Sequence, residues 1–161
     1  MHAPYEEMLA GVLTLRLSPG PRHELICARL HAAMRTGVAN FPGTKLLGAR
    51  TQVRFNPSTA LRPDLALVAA ASGKLWLAAE VVSSEDHHSD TVIKKQIYED
   101  LKLPRLWMID PRYDNVEVYH ATEYGLKLNG ILAGREVLSE KLLPEFQLVV
   151  AELFAAASEP G

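Results

Sequence analysis

The spacing of apolar and polar positions changes period several times along this chain. Val12-Leu13-Thr14-Leu15-Arg16-Leu17 alternates with a period of two, which predicts a strand, and Ser18-Pro19-Gly20-Pro21 supplies the turn that closes it. Between residues 22 and 36 the spacing becomes helical. Ile26, Leu30, Ala33 and Met34 recur on one side, and Gly37 is a natural stop. Thr51-Gln52-Val53-Arg54-Phe55 returns to alternation, a half-buried strand that runs into the loop Asn56-Pro57-Ser58-Thr59.

Two denser apolar runs follow, Leu65-Ala66-Leu67-Val68-Ala69 and Leu75-Trp76-Leu77-Ala78-Ala79-Glu80-Val81-Val82, joined across Ser72-Gly73 as an antiparallel hairpin. Helical periodicity over residues 90–101 leads into another strand, Arg105-Leu106-Trp107-Met108-Ile109-Asp110. Strand, helix, strand implies a right-handed crossover and parallel pairing. A turn at Asp110-Pro111-Arg112-Tyr113-Asp114-Asn115 returns the chain as Val116-Glu117-Val118-Tyr119, and after a polar excursion it ends in an apolar segment, residues 148–156. The expected fold is a single α/β domain over residues 1–161, a mixed, twisted sheet flanked by helices.

Composition narrows this picture. The chain has 161 residues, 48% hydrophobic and 22% charged, which fits one globular domain. No apolar run approaches the roughly 18 residues of a membrane span, and Met1-His2-Ala3-Pro4-Tyr5-Glu6-Glu7 lacks the basic start of a secretory signal, so a cytoplasmic protein is expected. Cys27 stands alone, which rules out an internal disulfide and a cysteine-rich zinc site. The net charge of −2 argues against indiscriminate coating of nucleic acid, yet residues 1–62 carry +5 and the remainder −7. Such a division allows a polyanion-binding face beside a metal-binding one, or simply scattered surface charge.

Three charged residues stand where apolar ones belong. Glu80 interrupts a run that should be buried on both faces, and a buried carboxylate must take up a proton, accept strong hydrogen bonds or bind a cation. A hairpin turn centred on Ser72 sets Asp64 opposite Glu80, with β-carbons roughly 5 Å apart, and two like charges that close favour a hard divalent cation between them. A slip of one residue would separate them. At roughly 100° per residue, Lys94 falls within the apolar arc formed by Ile93, Ile97 and Leu101, in a row with Asp90 and Tyr98, whereas Lys95 falls on the solvated side. Snorkelling of the lysine is the alternative to a role at the acids.

Together these residues carry a resemblance. Pro63-Asp64, Glu80-Val81-Val82-Ser83, Asp90-x3-Lys94-x3-Tyr98 and Leu106-Trp107-Met108-Ile109-Asp110-Pro111 resemble, in order and spacing, the Uma-type restriction endonuclease family of the PD-(D/E)XK nuclease superfamily. Glu7-Met8-Leu9-Ala10-Gly11 is similar to the family's Glu-x-x-Asp-Gly with Ala10 in place of the acid; Ser18-Pro19, His23 and Leu143-Pro144-Glu145-Phe146 match further short signatures. The superfamily's lysine two residues after the second acid is absent, since Val82 stands there; the resemblance transfers that role to Lys94.

The resemblance implies a restriction-endonuclease-like fold and Mg²⁺-dependent hydrolysis of DNA phosphodiesters, with Mn²⁺ as a substitute ion. Asp64 and Glu80 would hold the ion, and Lys94 would orient the attacking water or stabilise developing charge. Glu24, Asp90 and Tyr98 are accessory candidates, Glu24 matching the superfamily's acid on the first helix although its angle from that helix's apolar centre suits a solvated residue. RNA as substrate stays open, a homodimer rests on family analogy, no membrane association is expected, and the alternative is a catalytically inactive nucleic-acid-binding or interaction module. His87 and His88 lack zinc spacing and suit a solvated loop; Arg22 and Arg29 suit the surface, Trp76 and Trp107 the core.

Overall fold

A computed structural model describes residues 4–17, 19–83 and 89–156, with the backbone alone at residues 89 and 90. Four strands of the first half form a small antiparallel sheet. β1 (Tyr5–Leu9) and β2 (Val12–Arg16) form a hairpin, and β1 also pairs with β5 (Thr59–Leu61), which in turn pairs with β4 (Val53–Asn56). The hairpin turn places Ala10 at φ 49° and Gly11 at φ 86°, the left-handed pair of a type I′ turn. The acid that the family pattern has at Ala10 is therefore a turn residue, since Asp tolerates this backbone better than Ala.

The main sheet is mixed, in the order β10-β9-β8-β7-β6-β3, with β3 (Thr44–Leu46), β6 (Leu65–Ala69), β7 (Leu75–Val81), β8 (Arg105–Asp110), β9 (Asn115–Thr122) and β10 (Gly125–Ala133). β7 and β8 run parallel and the other neighbours antiparallel, as the crossover predicts. The β6–β7 register pairs Leu65 with Ala79 and Leu67 with Leu77, so Asp64 comes to the level of Glu80; a bulge at Leu67/Val68 absorbs the turn.

Alternation along these strands divides the core in two. Leu65, Leu67, Leu77, Ala79, Val81, Trp107 and Ile109 face the long helix α1 (Pro21–Val38), the β-hairpin of β11 (Val137–Glu140) and β12 (Leu143–Val149), and the short α3 (Val150–Phe154). Ala66, Val68, Ala78, Val82, Leu106 and Met108 face the opposite way, against Ile97 and Tyr98 of α2 (Lys95–Asp100). Glu80 shares the parity of Ala78 and Val82 and so enters this second layer.

Several expectations are corrected. The predicted helix over 90–101 opens with a π-helical turn, Ser89–Lys94, before α2 begins. The wider turn leaves Ile93 38% exposed, so Ile93 leaves the apolar arc to which a uniform helix assigned it. The polar excursion after Tyr119 is strand β10 and the hairpin β11–β12. Leu13, Leu15 and Leu17 are each more than half exposed, while Arg16 is buried, so strand β2 turns its charged residue inward. Among the described residues no helix is long and apolar enough to cross a membrane.

Gly37 does not end α1 but lies inside it, because the helix crosses β12 closely there. An added Cβ would sit 2.7 Å from Cβ and 3.1 Å from Cα of Phe146, whose ring stacks on Trp107 at 5.5 Å. Gly37→Ala should lower the urea midpoint by the equivalent of about 1–3 kcal/mol despite its better helix propensity. An unchanged or higher midpoint would show that β12 yields without cost.

Candidate active site

The carboxyl end of β7 gathers buried charges contributed by distant segments. Glu80, 2% exposed, accepts a hydrogen bond from the Tyr98 hydroxyl at 2.9 Å and is ion-paired to Lys94. Lys94, 1% exposed, ends the π-turn and also donates to both oxygens of Glu7, at 3.1 and 2.9 Å. The Tyr98 phenol is held protonated, its pKa pushed well up by burial and by the neighbouring Glu80 charge, so it acts as a donor.

Glu7 is the residue that sequence reasoning missed as part of this cluster. It is 1% exposed, in the middle of β1, and its carboxylate also accepts from Arg16 at 2.8 Å and from the Arg62 backbone N–H at 2.7 Å. Burial works to raise its pKa, but Lys94, the Arg62 N–H and Arg16 outweigh it and hold the carboxyl below its usual range. The strand period that puts Glu7 and Leu9 on one face was the available signal, and it required recognising Ala10-Gly11 as a hairpin turn.

Asp64 lies one residue before β6. One carboxylate oxygen accepts the Val81 N–H at 2.8 Å, so the side chain continues the ladder at the end of β7; the other accepts from Arg50 at 3.0 Å. Its backbone carbonyl accepts from His31 at 2.7 Å. Burial opposes ionisation, yet the contacts from His23, the Val81 N–H and the Lys94 charge bring its pKa down to about 2.

Arg50 spans Asp64 and Glu24, donating to the latter at 2.6 Å. Glu24 is thereby drawn from the solvated position expected of it to the edge of the cluster. His23, the family-like histidine, donates from Nε2 to the Val81 carbonyl at 3.0 Å, with the same nitrogen 3.6 Å from Asp64 and Nδ1 3.7 Å from Glu24. The Val81 carbonyl fixes the proton on Nε2, so Nδ1 gains its proton facing a carboxylate. Burial lowers the His23 pKa, but the hydrogen bond and charge of Asp64 raise it overall.

Of the accessory candidates, Tyr98 and Glu24 thus join the cluster. The Asp90 side chain, His87 and His88 lie outside the described residues. Arg22 binds Asp114 and the Pro111 carbonyl, Arg29 binds the carbonyls of Leu153 and Ala155, Trp107 is core, and Lys95 rests over the Tyr119 ring at 4.5 Å rather than in open solvent.

Among the described residues there is no cluster of three or more side chains able to hold a metal. Mg²⁺ takes one or two carboxylates and fills the rest of its shell with water and phosphate oxygens. Asp64 and Glu80 provide that donor type, hard anionic oxygens at the end of adjacent strands.

The coupled pair of Asp64 and His23 predicts a stability profile with two sloping arms. Asp64 contributes stability in full above its unfolded pKa of roughly 3.9, and loses it as pH falls toward about 2. His23 contributes below its unfolded pKa of roughly 6.5, and that contribution is lost as pH rises through the elevated folded value. Urea midpoints measured from pH 2 to 9 should therefore fall at both ends, and His23→Gln should flatten the alkaline arm. An unaltered alkaline arm in that variant would remove His23 from the pair.

The fold has a counterpart among solved structures. A crystal structure titled as that of a "putative nuclease belonging to DUF820" from Anabaena variabilis superposes with a TM-score of 0.78 at 14% identity, covering 94% of this chain and 90% of that one, which shows a shared fold. No curated protein matches the sequence. The model of the Uma2 family, described as "Putative restriction endonuclease", matches residues 4–151, from the Glu7 strand to the start of α3, and the chain belongs to that family.

Proposed function

We propose that this protein is a Mg²⁺-dependent nuclease that hydrolyses DNA phosphodiester bonds at the Asp64, Glu80 and Lys94 cluster. The observation that carries the reading is the convergence of two buried acids from adjacent strands and a buried lysine from the following π-turn. Family membership and the nuclease-titled fold neighbour support it. Asp64 and Glu80 hold the ion, and Mn²⁺ replaces it in the same oxygen donors. A bound divalent ion supplies Lewis acidity toward the phosphoryl group and a more acidic water. Lys94 orients the attacking water or stabilises charge on the phosphate, and Glu7, with Tyr98, fixes where Glu80 and the ammonium stand.

One observation favours a second reading, a nucleic-acid-binding or interaction module that retains the fold without turnover. The Lys94 ammonium is enclosed by Glu7 and Glu80, and Asp64 is covered by Arg50. Cleavage assays with Mg²⁺ or Mn²⁺ on single-stranded DNA, double-stranded DNA and RNA decide between the two; no cleavage of any substrate favours the module.

The same enclosure changes how Lys94 must be tested. Lys94→Met alone leaves Glu7 and Glu80 facing each other without their shared cation, a loss of about 3–5 kcal/mol for a broken buried pair. The double variant Glu7→Gln/Lys94→Met removes one charge of each sign and leaves Arg16 and Glu80 in place. It should stay folded and lose on the order of 10²-fold or more in cleavage rate. Lys95→Met, which among the described residues gives up its contact with Tyr119, should cleave near the wild-type rate. Equal rates for the two variants would remove Lys94 from the chemistry.

A further inference from the structure

Arg50 occupies a position that Mg²⁺ chemistry would need. Its guanidinium stands between two carboxylates, Asp64 at 3.0 Å and Glu24 at 2.6 Å, and supplies the positive charge that both require. The second oxygen of Asp64 is committed to the Val81 N–H, and losing that contact would leave a buried backbone donor unpaired. The oxygen that faces Arg50 is thus the one a cation can take at least structural cost.

The backbone holds Arg50 there against its own preference. Its φ of 56° is left-handed, a conformation that costs a non-glycine residue about 1 kcal/mol or more. Two hydrogen bonds fix that geometry: the Arg50 N–H donates to the Pro63 carbonyl at 2.9 Å, and its carbonyl accepts from Arg62 at 3.1 Å. A residue kept in such a conformation next to the acids is over-determined by its surroundings, as residues at functional sites commonly are.

The guanidinium also has somewhere to go. Arg50 walls an open groove of about 450 Å³ between α1 and the segment after β3, which Glu24, Cys27, His31, Arg35 and Leu47 also line. Cys27 is inert in this setting, its thiol pushed up to about 12 by burial and by the Asp64 charge.

We propose that Arg50 is the resident counter-ion of Asp64 and Glu24, that a divalent cation must displace it from Asp64 in order to bind, and that the displaced guanidinium turns into the groove to meet a substrate phosphate. The inference rests on the metal-dependent reading above. Divalent cation and polyanion then bind with positive coupling, each raising the other's affinity by the same factor.

The test is calorimetric titration of MnCl₂ into the metal-free wild type, Arg50→Gln and Arg54→Gln. Arg54 is an exposed guanidinium bonded only to the Asn56 and Pro57 carbonyls among the described residues, and its variant removes the same unit of charge. Arg50→Gln should bind Mn²⁺ on the order of tenfold more tightly, which is about 1.4 kcal/mol, and Arg54→Gln within about twofold of wild type. Tight binding by Arg50→Gln with none in the wild type would support the inference equally.

A folded Arg50→Gln that binds no more tightly than a metal-binding wild type overturns the role of Arg50 and leaves the metal site standing. If neither binds, the inference and the metal-dependent reading fall together. Should Arg50→Gln not fold, nuclear magnetic resonance of the wild type decides. The Arg50 Nε–H signal should shift along the Mg²⁺ titration, and a signal unmoved at saturation overturns the proposal.

Discussion

The structure is organised by a charge balance that has to be met away from water. Glu7, Asp64 and Glu80 are ionisable acids with almost no solvent contact, and leaving any of them charged and alone would cost more than a small domain's margin of stability. Lys94, Arg16 and Arg50 answer them. Each cation arrives by a locally unfavourable route: Lys94 through a π-turn, Arg50 through a left-handed backbone, Arg16 from a strand that leaves Leu13 and Leu15 in solvent. Local preference has been overridden three times to bring charge to one place in a fold that otherwise follows its sequence.

The π-turn shows the trade most directly. A regular helix over the same residues would have buried Ile93 beside Lys94 in one apolar arc. Widening the turn exposes Ile93 and lets the lysine stem run inward, where its ammonium meets acids from β1 and β7. Apolar burial is given up on one side so that an ion pair can be completed on the other.

How much of this was legible in the sequence follows the range of the interactions. The β6–β7 hairpin could be read to the residue near its acids, because two dense apolar runs and a turn leave few alternatives, and the parallel partner β8 followed from connectivity. The anomaly of Glu80 and Lys94 was visible for the same reason, since a charge within an apolar pattern is conspicuous. Glu7 was not, because the strand period and the Ala10-Gly11 turn could mark it as inward-facing but could not show that its lysine partner lies 87 residues away. Arg50 was hidden as one basic residue among several in a loop, and its importance comes from φ and from two acids on other elements. β10 and the β11–β12 hairpin were missed because much of their surface is exposed and their patterns are correspondingly polar. Gly37 was misread because its reason is a neighbouring strand, not the end of a helix.

The distance between Glu7 and Lys94 along the chain also bears on the order in which the molecule assembles. Hairpins such as β6–β7 close short loops and form early, whereas contacts between the first strand and the π-turn must wait for most of the intervening chain to settle. Until then the acids of the cluster remain hydrated and the ammonium wanders. A nascent or partly unfolded molecule therefore carries every charge of the cluster yet holds none of them together, and docking of the amino-terminal hairpin is the event that assembles them.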